Sequence, residues 1–219
     1  LYCLKVIQDE QVVTKRRIRT IFGAGEETGS DDLERYFEKE PMPVMGFTPD
    51  SEYGVCNREK GILRMNFSAP NDSTVLKSFT AGTVVNAVPA GACAEVACTR
   101  DDRERLRAAI GIVEGRFTME ETDEGARITS AGTASHAMQP QEGFNAATHL
   151  LALLFEVFTQ EQLGTLPAFL QKHIGVELDG SSMGIQQQDA ESGPLTLNLG
   201  LVHADASLCT AAIDIRYPV

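Results

Sequence analysis

The chain has 219 residues, 42% of them hydrophobic, and carries 19 Lys and Arg against 31 Asp and Glu, a formal charge of -12. That much apolar material fills one large core or two small ones, which excludes a disordered chain. The acidity, with no basic patch to offset it, argues against nucleic acid and anionic membranes as partners, and no apolar run is long enough to cross a bilayer.

In chain order, apolar residues at helical spacing over Leu1 to Ile7 predict a helix with no capping residue ahead of it. The chain thus reads as opening inside a helix and closing on a strand, a segment of a longer protein. A strand over 16–22 follows, then a helix over 31–37 with acids in its first turn, then a short strand over 46–50. Strands alternating with helices predict part of an α/β layer with a parallel or mixed sheet, and such a piece would leave apolar surface and unpaired strand edges prone to self-association.

Beyond Lys60 the pattern becomes mixed. Strands are predicted over 62–67, 83–88, 94–98, 115–119 and 126–131, with helices over 101–110, 145–158 and 166–173. Leu195, Leu197, Leu199 and Leu201 alternate with polar or small residues, as do Ile213, Ile215 and Tyr217, so each stretch reads as a strand with one buried face. Residues 179–194, rich in Ser, Gln and Gly, read as a long mobile loop. The expected organisation is an α/β portion over 1–60 and an α+β domain over 61–219.

Five cysteines (Cys3, Cys56, Cys93, Cys98 and Cys209) show no Cys-x-x-Cys spacing, so neither a disulfide framework nor a zinc knuckle is implied and a reducing cytoplasm is expected. Gly23-Ala24-Gly25 opens like a dinucleotide loop, but the next glycine falls one position late, at Gly29, and Glu26 and Glu27 would repel a pyrophosphate. Two adjacent acids at a strand end fit metal chemistry instead. Glu27 would bind an ion while Glu26 stays free as general base, and Asp50, at the end of the next predicted strand, would supply a second carboxylate. The alternative is a solvated acidic loop followed by a turn aspartate. His149 reads as a helix packing residue, His173 as a cation at a helix C-terminus, and His203 as a turn residue beside Asp205.

The stretch Arg17 to Ser30, with Tyr36 to Pro43 and Gly46 to Glu52, resembles the PepV-type dipeptidases, of the metallohydrolase superfamily that includes acetylornithine deacetylase, aminoacylase and carboxypeptidase G. The resemblance continues through Asn86-Ala87-Val88-Pro89, Ala134-Ser135-His136-Ala137-Met138, Gly143 to Ala147 and Asp214-Ile215-Arg216-Tyr217-Pro218. It implies the end of a catalytic domain followed by most of a ferredoxin-like lid, truncated at its C-terminal end. It also implies a two-zinc site, with manganese or cobalt as substitutes, in which Glu26 is the base and Glu27 and Asp50 are ligands of different ions. His136 would stabilise the oxyanion, Asn86 would contact substrate, and Arg216 would grip the free carboxylate of a dipeptide. An N-acyl amino acid deacylase, or a non-catalytic interaction domain, is the alternative. The family's His-x-Asp motif and late histidine are absent, so the isolated chain is expected to bind zinc weakly and to hydrolyse nothing. Gly54 also stands where the family commonly has proline.

Overall fold

A computed structural model describes residues 1–25, 29–49 and 54–219. The chain divides into two compact units, Leu1–Gly54 and Val55–Val219.

In the first unit, α1 (Tyr2–Asp9) carries a Lys5–Asp9 ion pair one turn apart, and α2 (Asp31–Phe37) begins with Asp31, Asp32 and Glu34 against its positive end. Asp32 accepts hydrogen bonds from the amides of Ala24 (2.5 Å) and Gly25 (3.1 Å), which wraps the glycine loop onto the helix start. These amide donors, Ala24 foremost, hold the Asp32 carboxyl below its ordinary range. The strands expected over 16–22 and 46–50 are not formed among the described residues, nor is a parallel sheet. A strand takes its backbone bonds from a neighbour, and the described part of this unit offers none. The stretch is tethered by side chains instead: Arg19 donates to the Tyr36 hydroxyl (3.3 Å) and pairs with Glu40 (3.4 Å). None of the described residues here is buried, and Phe22, Val44, Met45 and Phe47 are all exposed.

The second unit is built on a seven-stranded sheet in which all neighbouring strands run antiparallel. Its strands are β1 (Gly61–Pro70), β2 (Leu76–Ala81), β3 (Gly91–Ala97), β4 (Arg116–Thr122), β5 (Gly125–Ala131), β8 (Thr196–Ala204) and β9 (Leu208–Tyr217). They lie in the order β1-β9-β8-β2-β3-β5-β4. Short connections explain the direction. Between β8 and β9, Asp205 accepts from the amides of Ser207 (2.8 Å) and Leu208 (3.0 Å), a tight turn that returns the chain beside itself. Strand β2, which the sequence did not reveal, carries a register shift between Leu76 and Ser78 that breaks its alternation, whereas 83–88 is largely irregular.

Helices α3 (Arg100–Ile110), α4 (Ala146–Phe155), α5 (Gln160–Leu163) and α6 (Thr165–His173) complete the unit. Thr99 and Asp102 form a reciprocal capping box on α3, and Asn145 caps α4 by accepting from Ala147 and Thr148. Helix α4 packs on β3, β5 and β8 and against α3 and α6, which is why it is apolar nearly all round. The core joins one sheet face (Phe79, Ala94, Ile128, Leu197, Leu199, Ile213) to Leu106, Leu150, Leu154 and Leu170 of the helices. Truncating any of these leucines to alanine costs about 2–5 kcal/mol.

The run β3-α3-β4-β5-α4 has the order of a ferredoxin-like unit. There, however, the strand after the second helix would lie against β3. Here β2 takes that place and β8 pairs with β2. Residues 179–194 are locally ordered rather than a bare loop. Glu177 accepts from the Ser182 amide (2.8 Å), Asp189 from the Glu191 amide (2.7 Å), and a small hairpin pairs β6 (Gln188–Asp189) with β7 (Gly193–Pro194).

Candidate functional site

Among the residues singled out in the sequence, Glu26, Glu27 and Asp50 lie outside the described residues. Asn86, His136 and Arg216 all lie in the second unit, associated with the sheet face opposite the helices.

Asn86 sits in the loop between β2 and β3. Gly82 opens that loop at φ +75°, and a Cβ there would meet the Gly200 carbonyl oxygen at 1.9 Å, so the close approach to β8 requires glycine. Ala87 pairs antiparallel with His136 in an isolated bridge. The Ala137 amide donates to the Asn86 carbonyl (2.9 Å), and the Val88 amide to Ser135 (2.9 Å). Asn86 and His136 are therefore carried by two short extended segments bonded to each other.

The imidazole is exposed, and its Nδ1 accepts the Met138 amide at 3.1 Å. A neutral ring with Nδ1 as acceptor carries its proton on Nε2, so it presents a donor on its far side.

Beneath these segments runs a row of buried polar groups. The Asn198 side-chain amide donates to the carbonyls of Val85 (3.2 Å) and Ala87 (2.9 Å), and its Oδ1 accepts from Asn145 Nδ2 (3.2 Å). Thr196 Oγ1 reaches the Ala137 carbonyl at 3.5 Å and pairs across the ladder with Arg216. Asp214 stands opposite Asn198 and also opposite Arg64 of β1. Its carboxylate, fully buried, accepts from Arg216 Nε (2.5 Å) and Nη2 (3.3 Å) and from Arg64 Nε (3.1 Å). Asn145, Asn198, Thr196, Asp214 and Arg64 were not anticipated. Asn145 is the N-cap of α4; the other four lie on the strand face that the alternation marks as wetter, where tertiary cover by the 85–87 loop and neighbouring side chains makes Asn198, Thr196 and Asp214 interior.

Two open depressions of about 480 and 470 Å³ lie nearby. Asn66, Thr80, His203 and Thr210 line the first, and Val84, Ala87, Pro89, Cys93 and Ala134 the second. Neither is lined by His136 or Arg216; the second reaches the His136 segment through Ala87 and Ala134. His149 packs as expected, stacked on Phe144 at 3.9 Å with Nδ1 2.8 Å from the Asn145 carbonyl. His173 ends α6 against Phe169, and His203 lies 3.9 Å from Asp205 but within β8 rather than in the turn.

Among the described residues no group of three His, Cys, Asp or Glu side chains is arranged to hold a metal ion, so these residues do not by themselves fit a zinc site. No described helix is long and apolar enough to cross a membrane.

Comparison with known proteins gives relatives but no family. No family model matches the chain. Over 231 aligned positions it is 30% identical to the "Putative dipeptidase YtjP" of Bacillus subtilis, an alignment covering 100% of this chain and 49% of that protein. Likewise named proteins of Staphylococcus saprophyticus and Staphylococcus aureus are 30% and 28% identical, each over 99% of this chain and 49% of their own length. The chain spans about half the length of the curated relatives it matches.

Proposed function

We propose that this chain is part of a cytoplasmic dipeptidase in which residues 61–219 form a lid over a short peptide. The observation that carries this reading is the similarity to relatives named as dipeptidases along the whole of this chain. The geometry of the second unit supports it. Arg216, its guanidinium plane fixed by Asp214, is suited to a free carboxylate, which pairs with guanidinium in bidentate fashion. His136 presents Nε2–H as a donor to negative charge developing on a scissile carbonyl, and Asn86, bonded to the same segment, would contact the peptide. Glu26 is proposed as general base, with Glu27 and Asp50 as carboxylate ligands to zinc alongside ligands from outside this chain. Zinc, when bound, would polarise the carbonyl and acidify water. The 219-residue chain alone is proposed to be inactive.

The test is hydrolysis by the complete protein that carries this chain, against dipeptides and N-acetyl amino acids, with and without chelator. Cleavage of dipeptides that chelation abolishes is expected, with His136→Ala lowering kcat by about 10²–10³-fold. Cleavage of N-acetyl amino acids alone would transfer the reading to a deacylase, and no hydrolysis of either class would end it.

A further inference from the structure

We propose that Asp214 is a positioning residue for Arg216 and that Arg64 is its second counter-ion, an assignment that rests on the carboxylate-binding role proposed for Arg216. Strand β9 places Asp214 and Arg216 on one face, two residues apart, and β1 sets Arg64 directly across from Asp214. The carboxylate is 0% exposed, the Arg216 side chain 11% and the Arg64 side chain 51%. A buried carboxylate needs a cation, and a single arginine that also served a ligand would be divided between two anions. Two guanidiniums on one carboxylate resolve the conflict: the cluster has a formal charge of +1, enough for one further carboxylate.

The bonding pattern says which arginine does which. Asp214 takes Nε and Nη2 of Arg216, fixing the plane of the fork, and among the described residues Arg216 bonds no other acceptor. Its remaining N–H groups are left for a ligand. Arg64 meets Asp214 through Nε alone and is half exposed, as suits a standing counter-ion. The ligand class is a monocarboxylate, the C-terminus of a peptide, rather than a phosphate dianion.

Two measurements test this. In the complete enzyme, Asp214→Glu keeps the charge but shifts the fork, so KM for a dipeptide should rise about 10-fold with kcat nearly unchanged, and the rise should vanish in an Arg216→Ala background. Arg64→Gln should raise KM several-fold, because Asp214 then competes for Arg216. A wild-type KM in Asp214→Glu, or a rise that persists without Arg216, would reduce the cluster to a device for strand register. In the 219-residue chain, NMR of the arginine side chains reads positioning without any activity: the Arg216 Nε–H should exchange slowly and survive an acetate titration that shifts its Nη signals. An Nε–H exchanging like that of an exposed arginine overturns the assignment, even if the enzyme cleaves dipeptides. Absence of all hydrolysis with a protected Nε–H refutes the dipeptidase reading and leaves the positioning intact.

Discussion

Asn198 donates from its buried side-chain amide to the Ala87 carbonyl at 2.9 Å, and the same nitrogen reaches Val85 at 3.2 Å, so one residue grips the backbone on both sides of Asn86. Replacing it by leucine keeps the bulk and removes every side-chain hydrogen bond. Two carbonyls lose their donor and Asn145 loses one acceptor, while keeping its bond to Leu199. A fully buried group left unsatisfied costs about 1–3 kcal/mol, and the part-buried Val85 and Ala87 carbonyls sit at the lower end, so Asn198→Leu should destabilise the fold by about 2–4 kcal/mol in urea unfolding. Hydrogen exchange should also quicken at the Val88 and Ala137 amides, which join the two segments. Unchanged exchange there would mean that Asn198 does not hold the loop.

Gly200 tests the same contact from the strand side. A Cβ at that position would sit 2.2 Å from the Val85 carbonyl oxygen, a backbone atom that yields only if the loop moves. Gly200→Ala is therefore expected to cost about 1–3 kcal/mol, as overpacked sites do. At Gly91, where a Cβ meets nothing within 4 Å, the same change should fall within about 0.5 kcal/mol of wild type. Equal denaturation midpoints for the two variants would refute the close approach.

How much of this was legible beforehand follows from what each signal depends on. The leucines of β8 and the isoleucines of β9 alternate because one face meets the helices, and α4 is apolar all round because it is enclosed, so these elements could be read from local pattern. Strand β2 was missed because its bulge interrupts the period. Residues 16–22 looked like a strand on composition, yet pairing depends on a neighbour that composition does not report. At the site, the resemblance named Asn86, His136 and Arg216, and the structure brings Asn86 next to His136. Asp214 stood within the matched run Asp214 to Pro218 but was given no role, and Asn198 carried no signal of its own. A polar residue on a strand face looks the same whether solvent or a loop lies over it.

Asp72, in the connection between β1 and β2, caps α6 from a distance. It accepts from the Thr165 hydroxyl at 2.5 Å and the Thr165 amide at 2.8 Å. The hydroxyl first, then the amide, holds its carboxyl below the ordinary range. Because the folded pKa is lower than the unfolded one, the ionised cap stabilises the protein at pH values above the ordinary carboxylate range, and that contribution is lost as pH falls through the folded value. Asp72→Ala should cost about 0.5–2 kcal/mol near neutral pH. The gap between wild type and variant should narrow below about pH 4, in urea melts run at matched ionic strength. A gap independent of pH would place its origin in packing rather than in the charge.

The two units should differ in autonomy. All buried side chains among the described residues fall at Leu76 or later, so the core that drives folding belongs to the second unit. The first unit exposes Phe22, Val44, Met45 and Phe47, and its described part encloses nothing that would hold it against unfolding. A chain trimmed to residues 55–219 should therefore unfold cooperatively, with a midpoint within error of the full chain, and proteases should cut first within 1–54. Removing so much exposed apolar surface should also lower the sedimentation coefficient by more than the lost mass requires, if the full chain self-associates through it. A trimmed chain that melts without a transition, or a protease that destroys both units at one rate, would show that the second unit needs the first.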